Sequence, residues 1–150
     1  MTSADTNGTV TFSIAFEDIA SRPGTTVTAL TGGSKVTFDK TVPTLASVTD
    51  TNVTTLNVVL SELAITGTIT KANAGGFVVY ETGTPATTYA VASIAPGVDN
   101  THVVLTVADM TASAVPGVTV TYVAGGNGTV ADLAGNLLAT NATGVVTGAF

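Results

Sequence analysis

Cysteine and tryptophan are both absent from the 150 residues. Without cysteine there is no disulfide staple, no thiolate metal site and no cysteine nucleophile. Without tryptophan, stacking on a sugar would fall to Tyr80, Tyr89 and Tyr122, which alternation assigns to a sandwich core or its rim. Basic residues are scarce. Arg22, Lys35, Lys40 and Lys71 face ten acidic side chains, for a net charge of −6. Such a surface repels phosphate backbones, which excludes nucleic acid as a partner, and it disfavours anionic membrane. It suits a protein that meets divalent cations.

His102 is the single histidine, too little for a transition-metal site. No nucleophile elbow accompanies it, so it reads as a solvated histidine at a strand start. Glu62 and Glu81 are the one pair that could mimic a glycosidase dyad, and nothing in their spacing brings them together. Gly125-Gly126-Asn127-Gly128 precedes no helix and is a turn, not a phosphate cradle. The chain is expected to be no enzyme. No apolar run approaches the length of a membrane span. Met1–Gly8 has neither the basic nor the apolar segment of a signal peptide, so an exported parent would carry its signal outside this piece.

What is present is apolar and β-branched. Hydrophobic residues make up 45% and charged ones 9%, with a mean hydropathy of +0.51, which argues against disorder and for strands and turns. In residues 9–17, Val10, Phe12, Ile14 and Phe16 alternate with Thr11, Ser13 and Ala15, a strand with one apolar face. Strands over 25–30 and 35–39 follow, joined hairpin-like by Thr31-Gly32-Gly33-Ser34. These about three strands form an incomplete module with nothing inside it to cover its face. Asp39-Lys40-Thr41-Val42-Pro43 then makes a taut joint, because Pro43 offers no N–H and pushes Val42 to extended geometry.

Beyond the joint, strands are expected near 45–50, 53–60, 77–81, 87–94, 102–108, 117–123 and 144–149, with a further short one near 66–70. A helical turn within 60–74 is the other option there. The turns Gly83-Thr84-Pro85, Pro96-Gly97 and Pro116-Gly117 separate them. Short strands at this spacing are the pattern of an immunoglobulin-like sandwich. The fold class expected is therefore all-β: an antiparallel sandwich over 44–150, preceded by a partial Ig-like module over 1–43.

The run Gly8-Thr-Val-Thr-Phe12, Phe16-Glu-Asp-Ile-Ala20, Gly24-Thr-Thr-Val-Thr28 and Val36-Thr-Phe-Asp-Lys-Thr-Val-Pro43 resembles the C-terminal half of a bacterial Ig-like repeat. Residues 44–150 resemble the SwmB-like repeats of large bacterial surface proteins, through Leu56-Asn-Val-Val-Leu-Ser-Glu62, Val118-Thr-Val-Thr-Tyr122 and Asp132-Leu-Ala-Gly-Asn136. Residues 18–22 read Asp-Ile-Ala-Ser-Arg where such repeats have Asp-x-Ala-Gly-Asn. The resemblance implies an extracellular, cell-surface structural or adhesive role, as a spacer, adhesin or filament module. Its partners would be neighbouring repeats, copies of itself, or surface and matrix components. It also implies that the opening strands of the first module either precede this piece or come from another copy by strand donation. The alternative is an accessory or carbohydrate-binding sandwich of a secreted enzyme.

Calcium is the one cofactor the residues suggest. If 25–30 and 35–39 form a hairpin, the 17–24 loop and the 132–136 loop share the joint's pole. Glu17, Asp18, Asp39, Asp132 and Asn136 would then supply the oxygen ligands calcium requires. The competing reading makes these aspartates turn residues that bond nearby backbone N–H groups. Asn-x-Thr sequons at Asn7, Asn52, Asn127 and Asn141 are further candidates, for glycan attachment on surface turns.

Overall fold

The computed structural model describes residues 4–62, 76–111, 117–124 and 130–147. The strand expected near 66–70 lies outside them, as do Gly125–Gly128 and the Asn127 sequon. The chain divides into two compact units, Met1–Thr41 and Val42–Phe150.

The first unit is a ribbon. Strands β1 (Gly8–Thr9) and β2 (Thr37–Phe38) pair antiparallel, Gly8 opposite Phe38. Val10 N donates to Val36 O at 2.8 Å. Residues 8–17 run on without a bend, Ile14 and Val27 exchange both backbone hydrogen bonds, and Glu17 bridges Pro23. The tip is Asp18–Arg22, closed by Asp18 N to Arg22 O, with Ser21 in the left-handed region at φ 58°.

This corrects the expected hairpin of 25–30 with 35–39. Both segments answer the same apolar run, 8–17, and residues 28–35 form an excursion between them. Alternation specifies which face a strand buries, not which partner it takes, and Val27 and Val36 suit that run equally. Little of the ribbon is covered. Ile14, Phe16 and Val36 are 54%, 55% and 63% exposed.

The second unit is a sandwich of two four-stranded antiparallel sheets. Strands β3 (Leu45–Asn52), β4 (Thr55–Leu60), β8 (His102–Val107) and β7 (Val91–Pro96) form one, in the order β3-β4-β8-β7. Strands β10 (Asn141–Val146), β9 (Val118–Tyr122), β5 (Phe77–Glu81) and β6 (Thr84–Tyr89) form the other, in the order β10-β9-β5-β6. Relabelled A to G, with β6 as an extra strand, this is the A-B-E-D and G-F-C arrangement of an immunoglobulin sandwich. The all-β expectation holds.

The core comes from the alternation. Leu56, Val58 and Leu60 of β4, Val103, Leu105 and Val107 of β8, and Val79, Val118, Val120 and Tyr122 of the facing sheet are all buried. The expected single strand over 87–94 is instead two, β6 and β7, in different sheets and joined through Ala90. Pro85 in β6 and Pro96 in β7 put residues without an N–H on two sheet edges, which limits unwanted strand pairing. In β10 the register slips between Asn141 and Val145, at Gly144 with φ 80°. A side chain there would press on Val120 O at 2.9 Å, so the bulge needs glycine.

Candidate functional site

The residues expected to hold calcium sit in tight local turns. Asp18 Oδ1 accepts from Ala20 N and Arg22 N, and its Oδ2 lies 3.3 Å from Arg22 Nε. Asp39 Oδ1 accepts from Thr41 N and from Asn7 Nδ2, both at 2.9 Å. Asp132 Oδ1 accepts from Asn136 N at 2.8 Å, and Oδ2 from Asn136 Nδ2 at 2.7 Å. Each carboxylate therefore accepts from a backbone N–H two or four residues on, the behaviour that places Asp in turns, and Asp39 takes Asn7, next to the start of β1, as well.

Their positions also correct the geometry assumed from strand directions. Glu17 and Asp18 lie at the tip of the ribbon, whereas Asp39 follows β2 at its other end. Gly8 and Glu17, which mark the two ends, are nine residues apart in unbent chain, about 30 Å when extended. One ion cannot take ligands from both ends. The error follows from the misassigned hairpin partner.

Within the sandwich, the 130–138 loop closes on itself through Leu138 N to Val130 O. Ala139 N donates to Pro43 O, which sets this loop at the pole where β3 begins and β4 ends. Ser61 N donates to Thr44 O at that same pole, and Glu62 follows it. Glu62 and Asp132 thereby bring carboxylate oxygens within 4.8 Å of each other. Glu62 was not among the residues expected there. Its signal was only its place two residues past the end of β4. Glu81, the other half of the imagined glycosidase pair, ends β5 at the opposite pole.

A turn with spacing Asn/Asp-x-Thr recurs through the sandwich. Asn52, Asp99 and Asp109 each accept, on one side-chain oxygen, both the N–H and the hydroxyl of the threonine two residues on. The turn at Asp99 includes His102, whose Nδ1 lies 2.6 Å from the same Asp99 oxygen. Gly97 fits against His102 so closely that a Cβ would stand 2.5 Å from that of His102. The histidine thus caps the β7–β8 turn and is largely shielded, not a solvated edge residue.

The His102 ring, and then the Thr101 hydroxyl and N–H, hold the Asp99 carboxyl down to about 2, from 3.8. A depressed carboxyl contributes stability that is complete above the unfolded value and is lost as pH falls through the folded one. The thermal midpoint of the protein should therefore fall more steeply between pH about 4 and about 2 than that of Asp99→Asn. Parallel slopes for the two proteins in melts across that range would refute it. Thr111 lowers Asp109 in the same direction, so that turn adds to the acid sensitivity of both proteins equally.

The tyrosines sit in the sandwich core or at its rim. Tyr122 and Tyr89 are buried and Tyr80 is half-buried in β5.

No protein-family model matches the chain, and no curated protein does either. Solved structures do. The S-layer protein rSbsC superposes with a TM-score of 0.54 at 18% identity, over 72% of this chain and 14% of that one. Domains 1–6 of the surface layer protein SbsC give 0.53 at 19%, over 72% and 14%. The N-terminal part of the bacterial S-layer protein SbsC gives 0.50 at 20%, over 71% and 23%. This chain therefore spans less than a quarter of each. At such identities the likeness is one of fold alone: the chain's β-sandwich is similar in architecture to a segment of these structures.

Proposed function

We propose that this chain is a non-enzymatic structural module of an extracellular, repetitive surface protein, and that it associates with copies of itself or with neighbouring repeats. The observation that carries the reading is the uncovered ribbon. An isolated two-stranded pairing is marginally stable in water, yet this one displays Ile14, Phe16, Val27 and Val36 along its length. Strands added from a neighbouring copy would bury these side chains and satisfy the open edges. That the solved structures sharing the sandwich are S-layer proteins supports the surface role. So does a chain with four basic residues and no cysteine, which suits neither nucleic acid nor thiol chemistry.

Calcium belongs to the proposal at the sandwich pole, through Asp132, Asn136 and the neighbouring Glu62. Oxygen ligands from two segments would brace the 130–138 loop against the end of β4.

Light scattering of the protein over a concentration series, with calcium and then with a chelator, tests both parts. Association that grows with concentration and is abolished in Phe16→Asp and Val36→Asp is the expected result. A monomer at every concentration would dispose of self-association. A thermal midpoint indifferent to calcium and chelator would dispose of the ion.

A further inference from the structure

We propose that Asn52 is a site of N-linked glycosylation, the acceptor for an oligosaccharide carried on a polyprenyl phosphate. The inference rests on the extracellular reading, because such donors act on exported chains. The sequence alone does not single out this residue. Asp5-Thr6-Asn7-Gly8-Thr9 and Asp50-Thr51-Asn52-Val53-Thr54 share one pattern, with a carboxylate two residues before the asparagine and a hydroxyl two after. Only the structure separates them.

Asn7 is clasped. Its Nδ2 donates to Asp39 Oδ1 and to Thr41 Oγ1, while its Oδ1 accepts from Lys40 N at 2.9 Å. Attaching a sugar to that nitrogen would cost the clasp. Asn141 is half-buried in β10, and its Oδ1 accepts from Gly144 N at the bulge. Asn52 stands exposed at the tip of the β3–β4 hairpin. Its Oδ1 takes both bonds from Thr54, at 2.9 Å each, and its Nδ2 donates to no protein group among the described residues. The tip is also held firmly, since Val53 O accepts from Met110 N and Thr54 O from Val107 N. The carboxamide nitrogen is therefore presented on a rigid support with its sequon hydroxyl already turned back to the asparagine. Glycosylation there disturbs no bond of the fold.

In the step itself, Nδ2 attacks the anomeric carbon of the donor, forming the N–C bond. The C–O bond to the polyprenyl phosphate breaks, the phosphate leaves with the bond electrons, and the amide proton passes to a base of the transferase. No oxidant or reductant is needed.

The test is incubation of the folded protein with a purified oligosaccharyltransferase and a polyprenyl-linked oligosaccharide, followed by tryptic mass mapping. Residues 41–71 leave as one peptide with Asn52 as its sole sequon, and residues 1–35 as another with Asn7, because Arg22 precedes Pro23. Glycan on 41–71 should exceed that on 1–35 by about tenfold or more, the factor set by breaking two or more ordinary hydrogen bonds. It should vanish in Asn52→Gln and in Thr54→Val. Urea-unfolded protein should lose the preference. Equal occupancy of the two peptides in the folded protein, or none on 41–71, would overturn the proposal. Either result leaves the light-scattering answer on self-association untouched.

Discussion

Replacing Tyr122 with alanine is expected to lower the unfolding free energy of the sandwich by about 3–5 kcal/mol, the range for removing a buried aromatic ring. Tyr122 ends β9 and is 1% exposed. Its ring packs on Phe77 with centroids 4.8 Å apart and planes tilted by 55°, a favourable aromatic geometry. Its hydroxyl accepts from Val130 N, anchoring the start of the 130–138 loop to the core. Tyr122→Phe separates the two roles. It keeps the ring and strands one buried N–H, for a cost of about 1–3 kcal/mol. Urea midpoints at an unchanged m value give both numbers. Equal losses in the two variants would show that the hydroxyl, not the ring, carries the stability.

Gly76→Ala is the second large effect, and it acts on the same ring from the other side. A Cβ at Gly76 would stand 2.5 Å from Tyr122 Cε2 and 2.9 Å from Val123 O. Val123 N donates to Gly76 O at 2.8 Å, which locks the two backbones at this approach, and Phe77 limits the ring's retreat. The added methyl must therefore displace a packed ring or strain a strand pair, at about 1–3 kcal/mol. In the Tyr122→Ala background most of that cost should disappear, since the methyl enters the space the ring vacates. A double-mutant cycle should return a coupling of about 1 kcal/mol or more. Strict additivity would mean that the backbone contact with Val123, not the ring, excludes a side chain at Gly76.

Much of the sandwich could be read residue by residue. Leu56, Val58 and Leu60, or Val103, Leu105 and Val107, announce both a strand and its inward face, because a period of two leaves no other arrangement. The Asn/Asp-x-Thr turns are equally local. A short side chain that bonds a backbone N–H two or four residues on needs no distant partner to form its turn, and Asp18, Asp39 and Asp132 each make such a bond. Such a bond marks a turn and does not by itself separate a turn residue from a metal ligand. The same composition that suggested calcium ligands is what turns require.

Partnership between distant segments was settled by the tertiary structure alone. Residues 8–17 have two equally suitable partners in sequence, and the ribbon takes both, moving Asp18 away from Asp39. The run 87–94, expected as one strand, crosses instead between sheets at Ala90. Glu62 meets Asp132 only because β4 and the 130–138 loop share a pole. Asn7 and Asn52 carry one pattern and differ only in what lies beside them. Alternation, turn spacing and charge are properties of a few neighbouring residues and survive in any fold. Which strand pairs with which depends on burying all apolar faces at once, and no window of sequence contains that sum.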